Sequence, residues 1–167
     1  AYQQGVVPPT LSTVLPDGSV SSKTMRVIPD VAADGDMMTG MLVGQTVRFP
    51  DGTDRYTETR WGGTSLSTPL FVGMQALAQQ AAHRVFGFAN PLLYERSGTF
   101  AFDDVVDGTV PRGVVRNDYT NSHDPGTPVI TRAFTVGRDG PLHATPGYDN
   151  VTGLGVPSAK YVLSYLD

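Results

Sequence analysis

The longest regular apolar pattern in the chain runs from Ser65 to about Ala82, where Leu66, Leu70, Phe71, Met74, Leu77, Ala78 and Ala81 recur at helical spacing. Gly73 and Ala76 fill other faces, so this helix is apolar nearly all round and reads as an interior element of a larger protein. Upstream, Met41 to Phe49 and Arg55 to Arg60 flank Pro50-Asp51-Gly52, and the Asp-Gly pair predicts a hairpin. Downstream, Asn90-Pro91 supplies a cap and a first-turn proline for a short helix through Tyr94. Val129 to Val136 predicts a strand, and Pro157 to Leu166 a closing helix with Tyr161, Val162 and Tyr165 on one side. Tyr2 to Val7 reads as the end of a strand, followed by a Pro- and Ser-rich loop through Ser22. Met25 to Val31 reads as a short strand leaving into a turn at Pro29. Phe100 to Pro128 is Asp/Gly-rich and loop-like.

The mix is α/β in character. A helix this apolar, with few strands to cover it, suggests that covering partners lie elsewhere and that the chain is a piece of a larger domain. The 167 residues fit one ordinary domain. Hydrophobic residues make up 40% and aromatics 9%, which rules against wholesale disorder. Only two of the sixteen acidic residues, Glu58 and Glu95, are glutamates, and an Asp-rich set suits turns, caps and metal loops. The net charge of −4 and the scattered lysines and arginines make nucleic acid and anionic membranes poor partners. Without cysteine, there is neither disulfide nor thiolate chemistry. No apolar run approaches the ~20 residues of a membrane span. No signal peptide heads the sequence, so export is either not involved or directed from upstream of a cut end.

Gly62-Gly63-Thr64-Ser65-Leu66-Ser67-Thr68-Pro69 stands where the chain enters the apolar helix. Two glycines permit a sharp turn and leave room for a substrate chain. Ser65 falls at the helix N-terminus, where free N–H groups and the dipole favour developing negative charge. Pro69 is read as a first-turn proline. The same residues are good capping chemistry, so a capped helix start is the ordinary alternative. A nucleophilic serine needs a base. His83 is excluded if the helix is continuous, because eighteen residues at 1.5 Å each place it roughly 27 Å away. His123 and His143 lie in loops and read as surface histidines, and Glu58 as a solvent-facing strand residue.

These residues resemble a family. The octapeptide around Ser65 is similar to the nucleophile motif of the sedolisins, or serine-carboxyl peptidases, which share the subtilisin fold. Arg26 to Ala33 resembles that family's Pro-Asp-Val turn, and Phe88 to Tyr94 its Asn-Pro-x-Leu-Tyr helix start. Tyr2-Gln3-Gln4-Gly5-Val6 resembles a short upstream segment. Phe102-Asp103-Asp104-Val105 and Gly147 to Gly155 resemble its two calcium-loop segments. The likeness covers nearly the whole chain in the family's order.

The resemblance implies a subtilisin-like parallel sheet with flanking helices, of which residues 1–167 supply the C-terminal part of the catalytic domain. It implies a secreted, extracellular serine-type peptidase that cleaves peptide or protein substrates at acidic pH, by endopeptidase or tripeptidyl-peptidase action. Ser65 is the one catalytic residue that carries over. The glutamate base, its aspartate and the oxyanion aspartate belong to an upstream stretch, as the downstream chain of a nicked enzyme or an excised part of one would require. Carboxylate chemistry suits acid, where a histidine of pKa about 6.5 is protonated.

The same resemblance implies Ca2+ bound by the side chains of Asp104 and Asp149 and the carbonyls of Val105, Thr145 and Gly147, within a calcium-binding region of about residues 100–167. Thr145 departs from the family's usual glycine. Without the resemblance, Asp103, Asp104 and Asp149 are ordinary turn and cap residues. Two other readings stand beside the peptidase: a catalytically incomplete calcium-binding fragment or pseudoenzyme, and a conventional subtilisin whose Asp and His lie upstream.

Overall fold

The computed structural model describes residues 2–37, 40–108, 112–119, 129–136 and 142–166. The chain divides into two compact units, one formed by Ala1–Ala33, Pro69–Asp107 and Asp139–Asp167, the other by Asp34–Thr68 and Gly108–Arg138.

In the second unit, β1 (Met41–Arg48) and β2 (Asp54–Trp61) pair antiparallel from Met41 opposite Trp61 to Arg48 opposite Asp54. The predicted Asp-Gly turn closes them. Asp51 Oδ1 accepts from the Thr53 amide at 2.9 Å and its hydroxyl at 2.7 Å, while Gly52 takes φ +82°. Strands β4 (Arg112–Tyr119) and β5 (Val129–Val136) form a second antiparallel pair. The β5 expectation holds, whereas the loop expected over Phe100 to Pro128 is interrupted by β3 (Phe102–Asp103) and β4. A strand whose ladder partner lies beyond an intervening connection leaves little local signal.

The first unit is centred on tyrosines. Tyr161 is 0% exposed, and Tyr94, Tyr148 and Tyr165 are buried with it around Ala78, Ala101 and Phe102. Buried phenols need hydrogen-bond partners. Gln75 Nε2 donates to Tyr161 Oη at 2.6 Å, and Tyr161 and Tyr165 share a hydroxyl pair at 2.9 Å. Burial pushes the Tyr161 phenol far above its ordinary pKa, so it stays protonated and able to donate.

Helix α1 (Pro9–Thr13) begins on a proline. Helix α2 (Thr64–Ala81) fits the sequence reading in extent. Only Ala78 is buried, while Leu70, Val72 and Leu77 are 37%, 58% and 56% exposed. The described residues do not cover its apolar faces. Pro69 lies at the sixth residue of α2 rather than in its first turn, so the Ser65 carbonyl loses the amide donor an uninterrupted helix would supply.

Helix α3 (Asn90–Tyr94) starts at Asn90 itself. Ala89 is the cap residue, and the Asn90 side chain is spent elsewhere. The closing helix shrinks to one 3₁₀ turn, Val162–Tyr165, because Pro157 is taken by β6 (Val156–Pro157), which pairs with β3. Tyr2 to Val7 is a turn rather than a strand, with the Gln3 carbonyl accepting from the Val6 and Val7 amides. Met25 to Val31 is not a strand either. The Gln3 side-chain amide takes the place of a partner strand, donating to Val27 O at 2.8 Å and accepting from Val27 N at 3.0 Å.

The architecture is a mixed helix–strand α/β structure. Each of the three strand pairs is antiparallel, so the expected subtilisin-like parallel sheet is not assembled among the described residues. Parallel neighbours require crossover connections, and strands pairing as hairpins do not supply them. Among the described residues no helix is long and apolar enough to cross a membrane.

Candidate active site and cation site

The turn carrying Ser65 is built by backbone constraints within the second unit. Gly63 holds φ +81°, a left-handed conformation that favours glycine, and its amide donates to Gly35 O at 2.6 Å. Gly62 has no room for a side chain, since a Cβ there would lie 2.6 Å from Met37 N and 2.7 Å from Asp36 C. The Gly63 carbonyl then accepts from Leu66 N at 3.0 Å and Ser67 N at 3.2 Å, which starts α2. Ser65 is the second residue of that helix and is exposed. Among the described residues its hydroxyl has no hydrogen-bond partner. A capping serine would accept a first-turn amide through its side chain, and Ser65 does not.

Among the described residues weighed as its base, none bonds to Ser65. Glu58 is exposed on β2, opposite Gly44, and accepts from Tyr56 Oη at 2.9 Å. His83 follows the far end of α2 at φ +50°. His143 Nδ1 lies 2.9 Å from Asp107 Oδ2, and that bond, with one from Ala144 N, holds the Asp107 carboxyl below its usual pKa. His123 lies outside the described residues.

The residues expected to hold calcium converge in the first unit. Asp149 is 3% exposed and grips its own turn: Oδ1 accepts from Val151 N at 2.8 Å and Thr152 N at 2.7 Å, and Oδ2 from Thr145 N at 2.9 Å. Asp104 Oδ2 accepts from Gly147 N at 2.8 Å. Both carboxylates therefore hold the same Thr145–Gly147 bend. Gly147 sits at φ +82°, whereas Thr145 is outside the left-handed region, so threonine there carries no backbone strain. Among the described residues no hydrogen bond ends on the carbonyls of Val105, Thr145 or Gly147. All five groups offer oxygen, the donor type that a hard cation takes. No three His, Cys, Asp or Glu side chains cluster among the described residues, so carbonyls would have to carry much of any coordination.

A centre that sequence reasoning did not single out lies at Asp30. Its carboxylate ion-pairs with Arg26 and accepts from Asn90 Nδ2 at 2.8 Å and Tyr94 Oη at 2.9 Å. Tyr94 Oη in turn accepts from Gln3 Nε2 at 2.7 Å, and Tyr2 Oη accepts from Arg26 Nε at 2.9 Å. The Asp30 carbonyl receives Leu154 N at 2.9 Å, and Tyr148 Oη donates to Pro29 O at 2.7 Å. The carboxylate thus joins its own segment to Asn90 and Tyr94, Gln3 reaches it through Tyr94 Oη, and the 147–155 segment bonds the Pro29 and Asp30 carbonyls beside it. Its only local signal was an aspartate after a proline, which turns also produce.

The chain is 31% identical over 175 residues to human tripeptidyl-peptidase 1, across 99% of this chain and 25% of that protein. It is 30% identical over 155 residues to kumamolisin of a Bacillus species, across 93% of this chain and 22% of that one. The chain belongs to the sedolisin family. Tripeptidyl-peptidase sed4 of Aspergillus fumigatus is 37% identical over 100 residues, 58% of this sedolisin chain and 16% of that protein. The chain spans about a quarter or less of the length of these curated relatives. No protein-family model matches it, and no solved structure does.

Proposed function

We propose that this sedolisin chain supplies the nucleophile of a secreted serine-carboxyl peptidase that acts on peptides or proteins at acidic pH. The observation that carries the proposal is Ser65: an exposed hydroxyl without a partner among the described residues, on a turn that requires both glycines before it. Ser65 Oγ attacks the scissile carbonyl carbon and passes its proton to a carboxylate base. The amine leaves with a proton and an acyl-enzyme ester remains, which water then hydrolyses. The glutamate and aspartate of the base pair and the oxyanion aspartate come from a segment outside these residues. Endopeptidase and tripeptidyl-peptidase action share this chemistry. The exposed Leu70, Val72 and Leu77 of α2 support a subtilisin-like fold in which further strands of a parallel sheet cover them.

Labelling the full-length protein at about pH 4, where carboxylate bases remain usable, tests this reading. A fluorophosphonate or a peptide aldehyde is expected to modify Ser65 while the protein is folded. A folded protein that leaves Ser65 unmodified overturns it.

We further propose that Asp104, Asp149 and the carbonyls of Val105, Thr145 and Gly147 hold Ca2+. When bound, the ion neutralises the two carboxylates and ties the segment after β3 to the Thr145–Gly147 bend. Calcium at a hundredfold excess over its Kd is expected to stabilise the protein by about 2.7 kcal/mol, read as a rise in Tm. Asp104→Asn keeps an acceptor for Gly147 N but removes a charge, and should abolish most of that response. An unchanged response in the variant places the ion elsewhere.

A further inference from the structure

We propose that Ser67 is a positioning residue for Ser65, fixing the nucleophile's turn through the carbonyl of Asp34; this rests on the peptidase reading above. The helix is weak where the nucleophile sits, because Pro69 withholds the amide that would bond to the Ser65 carbonyl. Tertiary bonds hold the turn on both sides. Two residues before Ser65, Gly63 N donates to Gly35 O at 2.6 Å. Two residues after it, Ser67 Oγ donates to Asp34 O at 2.7 Å.

A serine inside a helix usually folds its hydroxyl back onto the carbonyl four residues earlier. Here that carbonyl, Gly63 O, lies farther off at 3.3 Å and already receives two amides. The shorter bond goes to a residue thirty-three positions upstream, so it acts as a strap between segments rather than as local helix chemistry. Gly62, pressed against Asp36 and Met37, closes the same seam. Consecutive carbonyls of one segment thus bracket Ser65. Ser67 does not supply a reacting atom. It limits the angles from which Oγ of Ser65 can approach a carbonyl carbon, and a displacement of about 1 Å there is worth about 100-fold in rate.

The test uses the full-length protein, comparing the parent with Ser67→Ala and Ser67→Thr. Ser67→Ala is expected to slow fluorophosphonate labelling of Ser65, and kcat for a fluorogenic peptide, by about tenfold or more, with KM and Tm nearly unchanged. Ser67→Thr, which keeps the hydroxyl, should restore both rates. Parent-like labelling of the alanine variant overturns the proposal, and so does a threonine variant as slow as alanine. If Ser67→Ala does not fold, Ser67→Cys, similar in size but a poor donor, is read the same way. A parent protein that is itself unlabelled sinks the peptidase reading, whereas a labelled parent with an equally fast alanine variant sinks Ser67 alone.

Discussion

Ser65→Ala is expected to lower peptide hydrolysis at acidic pH by about 10⁴-fold or more while leaving the fold intact. The two halves of that expectation have separate physical grounds. Ser65 is exposed and its hydroxyl has no partner among the described residues, so truncation strands no buried group. Such changes usually alter stability by no more than about 0.5 kcal/mol. The activity half follows from covalent catalysis, since without an oxygen nucleophile no acyl-enzyme forms and only direct attack by water remains. The decisive measurement pairs single-turnover hydrolysis with a thermal melt of the same full-length preparation. A variant that melts like the parent and hydrolyses at the parent rate removes Ser65 from the reaction.

Asp30→Ala should cause the largest loss of stability, about 3 to 5 kcal/mol. The Asp30 side chain is only 18% exposed and serves three donors at once: the Arg26 guanidinium, Asn90 Nδ2 and Tyr94 Oη. Removing an acceptor that several donors share costs more than removing one bond, because the buried Tyr94 and half-buried Asn90 donors are left unsatisfied, although the half-exposed Arg26 can turn to water. Tyr94 is the most exposed to this penalty. Burial first, and then its bond to Asp30, raise the phenol well above its ordinary pKa, so it cannot escape by ionising. The neighbouring backbone has no slack. A Cβ at Gly153 would sit 2.5 Å from the Asp30 carbonyl, so the two backbones are already in close contact there. Asp30→Asn keeps one acceptor oxygen and should lose less. Urea unfolding of the parent and both variants checks the order. A loss below about 1 kcal/mol for alanine would show that Asp30 is not the centre on which these segments depend.

Much of this was legible locally. The β1–β2 hairpin follows from an Asp-Gly pair between apolar runs, and α2 from helical spacing, because turn preference and periodicity act over a few residues. The motif around Ser65 was readable for the same reason: its geometry is set by φ at Gly63 and by the absence of a side chain at Gly62. The errors share a different cause. Tyr2 to Val7 carries an apolar pattern that suits a strand, yet Gly5 at φ +83° and the Gln3 carbonyl make it a turn. Pro157 looked like a helix start until β3 offered it a partner. The exposure of α2 belongs with the reading of an interior helix whose covering partners lie elsewhere, since an apolar face states only that something should cover it.

The sequence by itself determined the helix start that presents Ser65 and the Asp-Gly turn between β1 and β2, both of which depend on residue type and short spacing, and it carried the resemblance to the sedolisins. Only the tertiary structure decided that Asp30 collects Arg26, Asn90 and Tyr94, with Gln3 donating to Tyr94 in turn, that Asp104 and Asp149 grip one bend, and that Ser67 reaches Asp34. The reason is that a carboxylate or hydroxyl bonds whatever donor or acceptor the fold brings within about 3 Å. That choice is made between segments far apart in the chain, where no local pattern records it.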